Sequence, residues 1–191
     1  MPHFKTVVAT DASAEQIASA EPQSGLQFRV APAESSGLEP GSVDLITVAQ
    51  ALHWFDIDRF FEEAIRVLKP GAVLSFWCYT HSKVSPACDE IIRNIFAEME
   101  PYWPPERDLV EACYQDVVSP LPEIPPDQFS MQVSWSVEDA LDYMRTWSAT
   151  RRYIDDKGVD PTTIHAEALQ AAWGSERRTV KWPITLRVCR K

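Results

Sequence analysis

The first 80 residues alternate between short runs of apolar, β-branched residues and stretches in which apolar residues recur at helical spacing. The runs predict strands at Thr6–Thr10, Leu26–Val30, Val43–Ala49 and Ala72–Tyr79, and the helical spacing predicts an amphipathic helix at Ile57–Leu68. Strands that are separated by helices run parallel, because each crossover returns the chain to the same end of the sheet. The sequence therefore predicts an α/β fold whose parallel sheet carries helices on both faces.

The region from residue 81 to residue 127 has a different pattern, because prolines accumulate from Pro101 to Pro126. It predicts a helical insertion without strands, which either shapes a site or is a loosely packed excursion. Beyond it the pattern predicts strands at Phe129–Trp135 and Thr179–Arg190, with helices between them at about Val137–Tyr153 and Pro161–Trp173.

Charge and cysteine spacing exclude several classes of protein. The formal net charge of -10 repels phosphate backbones, so we expect no nucleic-acid partner. The four cysteines form no C-x-x-C pair and have no histidine at zinc-ligand spacing, so we expect free thiols and no metal. No segment approaches the ~20 apolar residues of a membrane helix, and the first residues lack a signal-peptide pattern. We expect a soluble, cytoplasmic protein that makes no membrane contact.

In an open parallel sheet, ligands bind beyond the carboxyl ends of the strands, so the residues after each strand are the candidates for chemistry. Asp11 follows the first predicted strand, where its carboxylate can bind the two hydroxyls of a ribose or cap the next helix. After the second strand, the small residues around Ala33 would let a flat heterocycle approach the backbone, and Glu34 could orient a donor. Taken without further context, an ordinary turn explains this segment better.

The third predicted strand is followed by Gln50, Ala51, Leu52 and then by a histidine and two aromatic residues. Large aromatic side chains at this place can wall an apolar pocket or present a ring face to a cationic ligand. Trp54 is the candidate for such a contact, whereas Phe55 is expected to pack under the following helix.

Four strings of the sequence resemble the class I S-adenosylmethionine-dependent methyltransferases. They are VVATDASAEQIASA, FRVAPAES, VDLITVAQALHWFD and RFFEEAIRVLKPGAVLSFW. The combination of AQALHWFD with the later TWSA looks most similar to the branch of trans-aconitate-type and related small-molecule methyltransferases. The resemblance covers nearly the whole chain and implies a Rossmann-like methyltransferase sheet.

The resemblance also implies a cofactor and the residues that bind it. The cofactor is S-adenosylmethionine, with Asp11 at the ribose hydroxyls, Ala12, Ala33 and Glu34 around the adenine, and Gln50 and Ala51 at the methionine end. It places His53 and Trp54 at the border of a small-molecule substrate. Arg151, next to the TWSA segment, is either a clamp for an anionic substrate or a solvated surface residue.

The chain departs from the family pattern at its start. The family's first strand and its D-x-G-x-G-x-G loop are absent, and no two of the six glycines are spaced as G-x-G. Without that strand, the edges of two neighbouring strands lose their hydrogen-bond ladder. We therefore hypothesise an N-terminally truncated methyltransferase whose natural start lies before Met1 and whose activity in this form is doubtful. The expected single domain (1–191) combines a cofactor side (1–80), a helical insertion or lid (81–127) and C-terminal strands and helices (128–191).

Two other functions remain open from the sequence. The chain could be a catalytically silent relative that acts as a binding or interaction module, or a dinucleotide-binding oxidoreductase, because Asp11 after a strand suits NAD as well. His53 is the candidate catalytic base for a hydroxyl or carbon-acid acceptor, or a brace that holds the pocket through hydrogen bonds. The sequence does not indicate an oligomeric state.

Overall fold

The computed structural model describes residues 3–191. The hypothesis of an upstream segment refers to Met1, which lies outside the described residues. The strands are β1 Val7–Asp11, β2 Leu26–Val30, β3 Val43–Ala49, β4 Leu68–Tyr79, β5 Glu123–Ile124, β6 Phe129–Trp135 and β7 Arg178–Arg190. The helices are α1 Ala14–Ala18, α2 Ile57–Val67, α3 Pro86–Glu98, α4 Arg107–Glu111, α5 Val137–Arg145, α6 Ser148–Lys157, α7 Pro161–Ile164 and α8 Ala166–Trp173. Two short 3-10 helices cover Leu52–Trp54 and Glu100–Tyr102.

The strand predictions are confirmed with one omission. β2, β3 and β6 have the predicted bounds, and β1, β4 and β7 differ from them by one to four residues. The insertion was expected to hold no strand, which is wrong, because β5 pairs antiparallel with Cys189 and Val188 of β7. Prolines flank β5 on both sides and limit it to two residues, since proline cannot donate to a ladder.

The helix predictions are confirmed in position but not in length. α2 ends one residue before the predicted Leu68, which instead begins β4. The two long helices expected after residue 136 are each divided, the first into α5 and α6 and the second into α7 and α8. α5 begins at a complete capping box, in which Ser136 and Asp139 each accept a hydrogen bond from the other's backbone N–H.

The described strands form two separate sheets. Among residues 3–191, β1 pairs only with β2, in parallel, and β3 pairs in parallel with β4. The larger sheet has the order β3-β4-β7-β5, and β6 also pairs with β7. This sheet is mixed, because β3 and β4 are parallel, as predicted, whereas β5 and β6 run antiparallel to β7. Within residues 3–191 no ladder joins β1 to β3.

The described residues group into two compact units. The first comprises residues 3–77, Val118–Pro126 and Leu186–Lys191, and the second comprises Cys78–Val117 and Asp127–Thr185. The expectation of a single domain is not tested by this grouping and stays a prediction. No helix in the described part of the chain is both long and apolar enough to cross a membrane.

Each unit has its own apolar core. In the first unit, α2 buries one face on the sheet, and the ring of Phe61 meets that of Phe76 on β4 edge-on at 6.2 Å. The second unit buries residues of α3, α5 and α8 together with Val180 and Trp182 of β7. This burial supplies the main stabilising free energy of both units.

Candidate functional site

Asp11 is the last residue of β1 and pairs with Val30 of β2, so it stands at the carboxyl end of both strands. Its Oδ1 accepts a hydrogen bond from the backbone N–H of Ser13 at 2.7 Å, and its side chain is exposed. Ser13 in turn caps α1, because its Oγ accepts from the N–H of Gln16. A carboxylate has about four lone-pair positions, so this turn fixes the group while leaving acceptors for a ligand.

Hydrogen bonds hold the loop after β2 at both of its ends. The N–H of Ala31 donates to the backbone oxygen of Asp11 at 3.0 Å, which joins the ends of β1 and β2. Further on, Oε1 of Glu34 accepts from the N–H of Asp56 at 2.8 Å. Asp56 is the N-cap of α2, so Glu34 connects the loop after β2 to the loop after β3. Ala33 and Glu34 are half-buried between these anchors, whereas Ala12 is exposed beside Asp11.

A second connection, which the sequence analysis missed, lies behind this loop. Both the N–H and the hydroxyl of Ser36 donate to Oε1 of Glu63 on α2, at 2.9 and 2.6 Å. Arg66 donates to the same carboxylate and to the backbone oxygen of Leu38. The hydrogen bonds from Arg66 and Ser36 outweigh the effect of burial and lower the pKa of Glu63 from 4.5 to about 2. The spacing of Glu63 and Arg66 was the signal available in the sequence.

The segment after β3 begins with an unusual backbone conformation. Gln50 has a φ of 51°, in the left-handed region that side chains other than glycine rarely adopt. Its N–H donates to the backbone oxygen of Trp77 on β4 at 3.0 Å, which holds the turn against the sheet. Such strain costs about 1–3 kcal/mol and concentrates at functional sites, which supports a role for this turn. Ala51, half-buried, follows and leads into the 3-10 helix.

His53 and Trp54 have contrasting environments within that 3-10 helix. His53 is buried with 8% exposure, whereas Trp54 has 59% of its surface exposed. The two rings lie 4.7 Å apart at an angle of 45°. The next residue, Phe55, packs on Phe60 of α2 as expected, with ring centroids 5.1 Å apart. The segment therefore packs the rings of His53 and Phe55 inward and presents the ring of Trp54 at the surface.

The structure thus brings most of the predicted positions into one unit. Asp11, Ala12, Ala33, Glu34 and the Gln50–Trp54 segment all belong to the first unit and follow the carboxyl ends of β1, β2 and β3. Arg151 belongs to the second unit, where it lies exposed on α6. No group of His, Cys, Asp and Glu side chains that could hold a metal ion is present among residues 3–191.

The second unit contains a polar network of its own. Glu111 accepts from Arg107 at 2.8 Å and lies 3.0 Å from Nε2 of His81, and the Arg107 guanidinium stands 4.7 Å from the centre of the Trp103 ring. Burial raises the pKa of Glu111, but the hydrogen bonds from His81 and Arg107 outweigh it and leave that pKa lowered. Because these polar groups satisfy one another, we interpret the network as stabilising α4 rather than as a second site.

Comparison with known proteins decides the family. Residues 1–76 match the family described as "Methyltransferase domain". A solved structure from Anaeromyxobacter dehalogenans, assigned as a type II methyltransferase, has a TM-score of 0.92 and 38% sequence identity. The match covers 99% of this chain and 82% of that one. The chain belongs to the class I methyltransferase family.

Curated relatives of this methyltransferase agree with that assignment. A Dictyostelium discoideum protein named as a methyltransferase is 31% identical over 175 residues, which are 90% of this chain and 66% of the relative. A Saccharomyces cerevisiae protein named as an S-adenosylmethionine-dependent methyltransferase is 31% identical over 86 residues, 41% of this chain and 30% of the relative. The methyltransferase therefore spans 66% and 30% of the lengths of these two proteins.

The comparisons confirm the predicted Rossmann-like methyltransferase fold. The matched family region, residues 1–76, contains every predicted site residue except Arg151. The elements that this methyltransferase shares with its family are therefore those that carry the strand-end residues described above.

Proposed function

We propose that this methyltransferase transfers the methyl group of S-adenosylmethionine to a carboxylate-bearing small molecule, as the resemblance to the trans-aconitate-type branch implies. The observation that carries the proposal is the carboxylate of Asp11, which the N–H of Ser13 fixes at the carboxyl ends of β1 and β2. A carboxylate in that place can accept a hydrogen bond from each of the two hydroxyls of a ribose, the sugar of the adenosine.

The residues around Asp11 fit an adenosine. Ala12 and Ala33 have small side chains, which allow a flat base to approach the backbone of the two turns. One carboxylate oxygen of Glu34 accepts a hydrogen bond from the N–H of Asp56. The role of Glu34 is therefore to hold the loop after β2 in place beside the base. At the methionine end, the left-handed turn at Gln50 and the small side chain of Ala51 would line the cofactor.

When bound, S-adenosylmethionine supplies a methyl group on a positively charged sulfur that is already activated for displacement. The protein then has to align the acceptor with this group and exclude water, since alignment is the main source of acceleration in such a step. Trp54 offers an exposed apolar ring for this purpose at the end of β3.

His53 has a role that depends on the acceptor. A carboxylate acceptor is already ionised at neutral pH and needs no base, and the burial of His53 suits a residue that braces the turn beside Trp54. For an acceptor hydroxyl, the same imidazole would take the proton. We propose the bracing role for His53, because it agrees with both its burial and the carboxylate acceptor.

Calorimetric titration of the chain with S-adenosylmethionine and with S-adenosylhomocysteine tests the proposal. We expect both to bind, and we expect Asp11→Asn to weaken binding about 10- to 100-fold, since a hydrogen bond to a charged group contributes about 1.5–3 kcal/mol. The asparagine retains an oxygen for the N–H of Ser13 but replaces one acceptor of the ribose by a donor.

The matched control is Glu15→Gln, which removes an exposed carboxylate from the first turn of α1 and should leave both affinities unchanged. A folded chain that binds neither compound would contradict the proposal and favour a catalytically silent interaction module. An Asp11→Asn variant with the affinity of the wild type would exclude Asp11 as the ribose ligand.

A further inference from the structure

β6 is an edge strand with an uncovered apolar face. All seven of its residues pair with β7, and within the described part of the chain no strand pairs with its other edge. Phe129, Met131 and Val133 share one face of the strand and are 53%, 37% and 37% exposed. Their partners across the ladder are Ile184, Trp182 and Val180, of which the last two are buried. The apolar face that is covered on β7 thus continues uncovered onto β6.

The sequence of β6 is nearly a palindrome. Read in either direction, FSMQVSW gives an aromatic residue, serine, an aliphatic or thioether side chain, glutamine, another such side chain, serine and an aromatic residue. In a two-fold antiparallel pair of such strands centred on Gln132, glutamine faces glutamine and each serine faces a serine. Met131 then faces Val133, and Phe129 faces Trp135. Such matched cross-strand pairs are the unit that stabilises a sheet.

The charges around β6 are consistent with the same arrangement. The chain carries a net charge of -10, so two copies repel each other over most of their surfaces, but β6 contains no charged residue. Asp127 precedes the strand, and Arg177, at the other end, donates to the backbone oxygen of Ser134 and pairs with Asp139. Because Arg177 and Asp139 neutralise each other, that pair adds no net charge at this end of the strand. β6 also lacks the lysine, proline or bulge that commonly protects an edge strand.

We infer that β6 is the contact surface of a homodimer in which two copies of the chain join their sheets through an antiparallel β6–β6 ladder. The partner is a second copy because the residue pattern of the strand is complementary to itself and the strand carries no charge that would repel a second copy. A ladder of seven residues is a small interface, so the dimer dissociates at concentrations on the order of micromolar. This inference is independent of the proposed methyl transfer.

Sedimentation velocity from about 1 to 500 micromolar protein tests the inference through a change at the axis. We expect the wild type to pass from monomer to dimer over this range. Gln132→Lys places two ammonium groups against each other and should weaken the dimer at least tenfold, whereas the neutral β-branched Gln132→Thr should retain it. Far-UV circular dichroism and thermal unfolding establish that both variants fold.

Three results would overturn the inference: a wild type that stays monomeric throughout, a Gln132→Lys dimer of unchanged strength, or open-ended association instead of a dimer.

The register of the two strands has a separate test. Residues opposite each other in an antiparallel pair have Cα atoms about 4.5–5.5 Å apart, within the range for a disulfide. Gln132→Cys should therefore form a reducible covalent dimer under mild oxidation, whereas the exposed Glu138→Cys on α5 should not. Equal cross-linking of the two variants would exclude the two-fold register.

Discussion

Glu63 shows how one residue fixes the loop beside the candidate site. Its carboxylate accepts from Ser36 and Arg66, and it connects α2 to the loop that continues from Ala33 and Glu34. Because the folded protein holds its pKa at about 2, against 4.5 in the unfolded chain, the ionised form stabilises the fold. The contribution is complete above pH 4.5 and is lost as the pH falls towards 2, since the folded state then binds the proton less readily than the unfolded state.

Replacing Glu63 by glutamine tests this contribution. We expect Glu63→Gln to lower the free energy of unfolding by about 3 kcal/mol at pH 7, which is the size that the lowered pKa implies. The difference between wild type and variant should shrink by about 2 kcal/mol between pH 7 and pH 3. Urea unfolding followed by tryptophan fluorescence at both values measures it. Glu62→Gln, its exposed neighbour on α2, serves as the control and should match the wild type at both pH values. A difference that does not depend on pH would show that Glu63 acts through packing alone.

Single residues also mark the limit of what the sequence reveals about the site. Asp11 was a candidate because a carboxylate directly follows a β-branched run, although an aspartate at that place is also a common helix cap. The contact of Glu34 with the N–H of Asp56 was not identifiable, because it joins residues 22 positions apart and depends on where α2 begins. The left-handed backbone of Gln50 was equally hidden, since glutamine carries no signal for a positive φ.

At the scale of elements, local patterns predicted β2, β3 and β6 to the residue, because alternation and flanking turns specify short strands well. The break between α5 and α6 was missed, since neither glycine nor proline marks it. Trp147 is extended there, and its ring meets those of Phe96, Trp103 and Tyr143 within 5.8 Å. Packing against residues far away in the sequence therefore ends the helix, and no window of neighbouring residues contains that information.

The start of α5 provides a prediction for one element. The hydroxyl of Ser136 accepts from the N–H of Asp139 at 3.2 Å, and the Asp139 carboxylate accepts from the N–H of Ser136 at 2.9 Å. Ser136→Ala removes the first of these bonds and should cost about 1 kcal/mol, which lowers Tm by about 3 °C in a chain of this size. Differential scanning calorimetry measures the change. Ser148→Ala, at an exposed position on the first turn of α6, should leave Tm within 1 °C of the wild type. Equal Tm values for the two variants would show that the cap contributes nothing.

At the scale of the whole molecule, the two compact units share two strands. β4 passes from the first unit to the second after Trp77, and β7 passes from the second to the first after Thr185. Unfolding of either unit therefore removes residues from strands that the other unit needs. We infer that the two units unfold together, because cooperativity follows shared structure.

Native-state thiol labelling tests this cooperativity at two buried cysteines. Cys88 reports on the second unit and Cys189 on the first, and both are fully buried, whereas Cys113 is only half-buried. We expect a maleimide pulse in the absence of urea to modify Cys113 first. Burial raises the pKa of the Cys78 thiol to about 12, so Cys78 should react as slowly as Cys88 and Cys189.

With increasing urea, peptide mass spectrometry should detect Cys88 and Cys189 labelling with one common midpoint. Midpoints that differ by more than about 0.5 M would mean that the units unfold separately despite the strands they share.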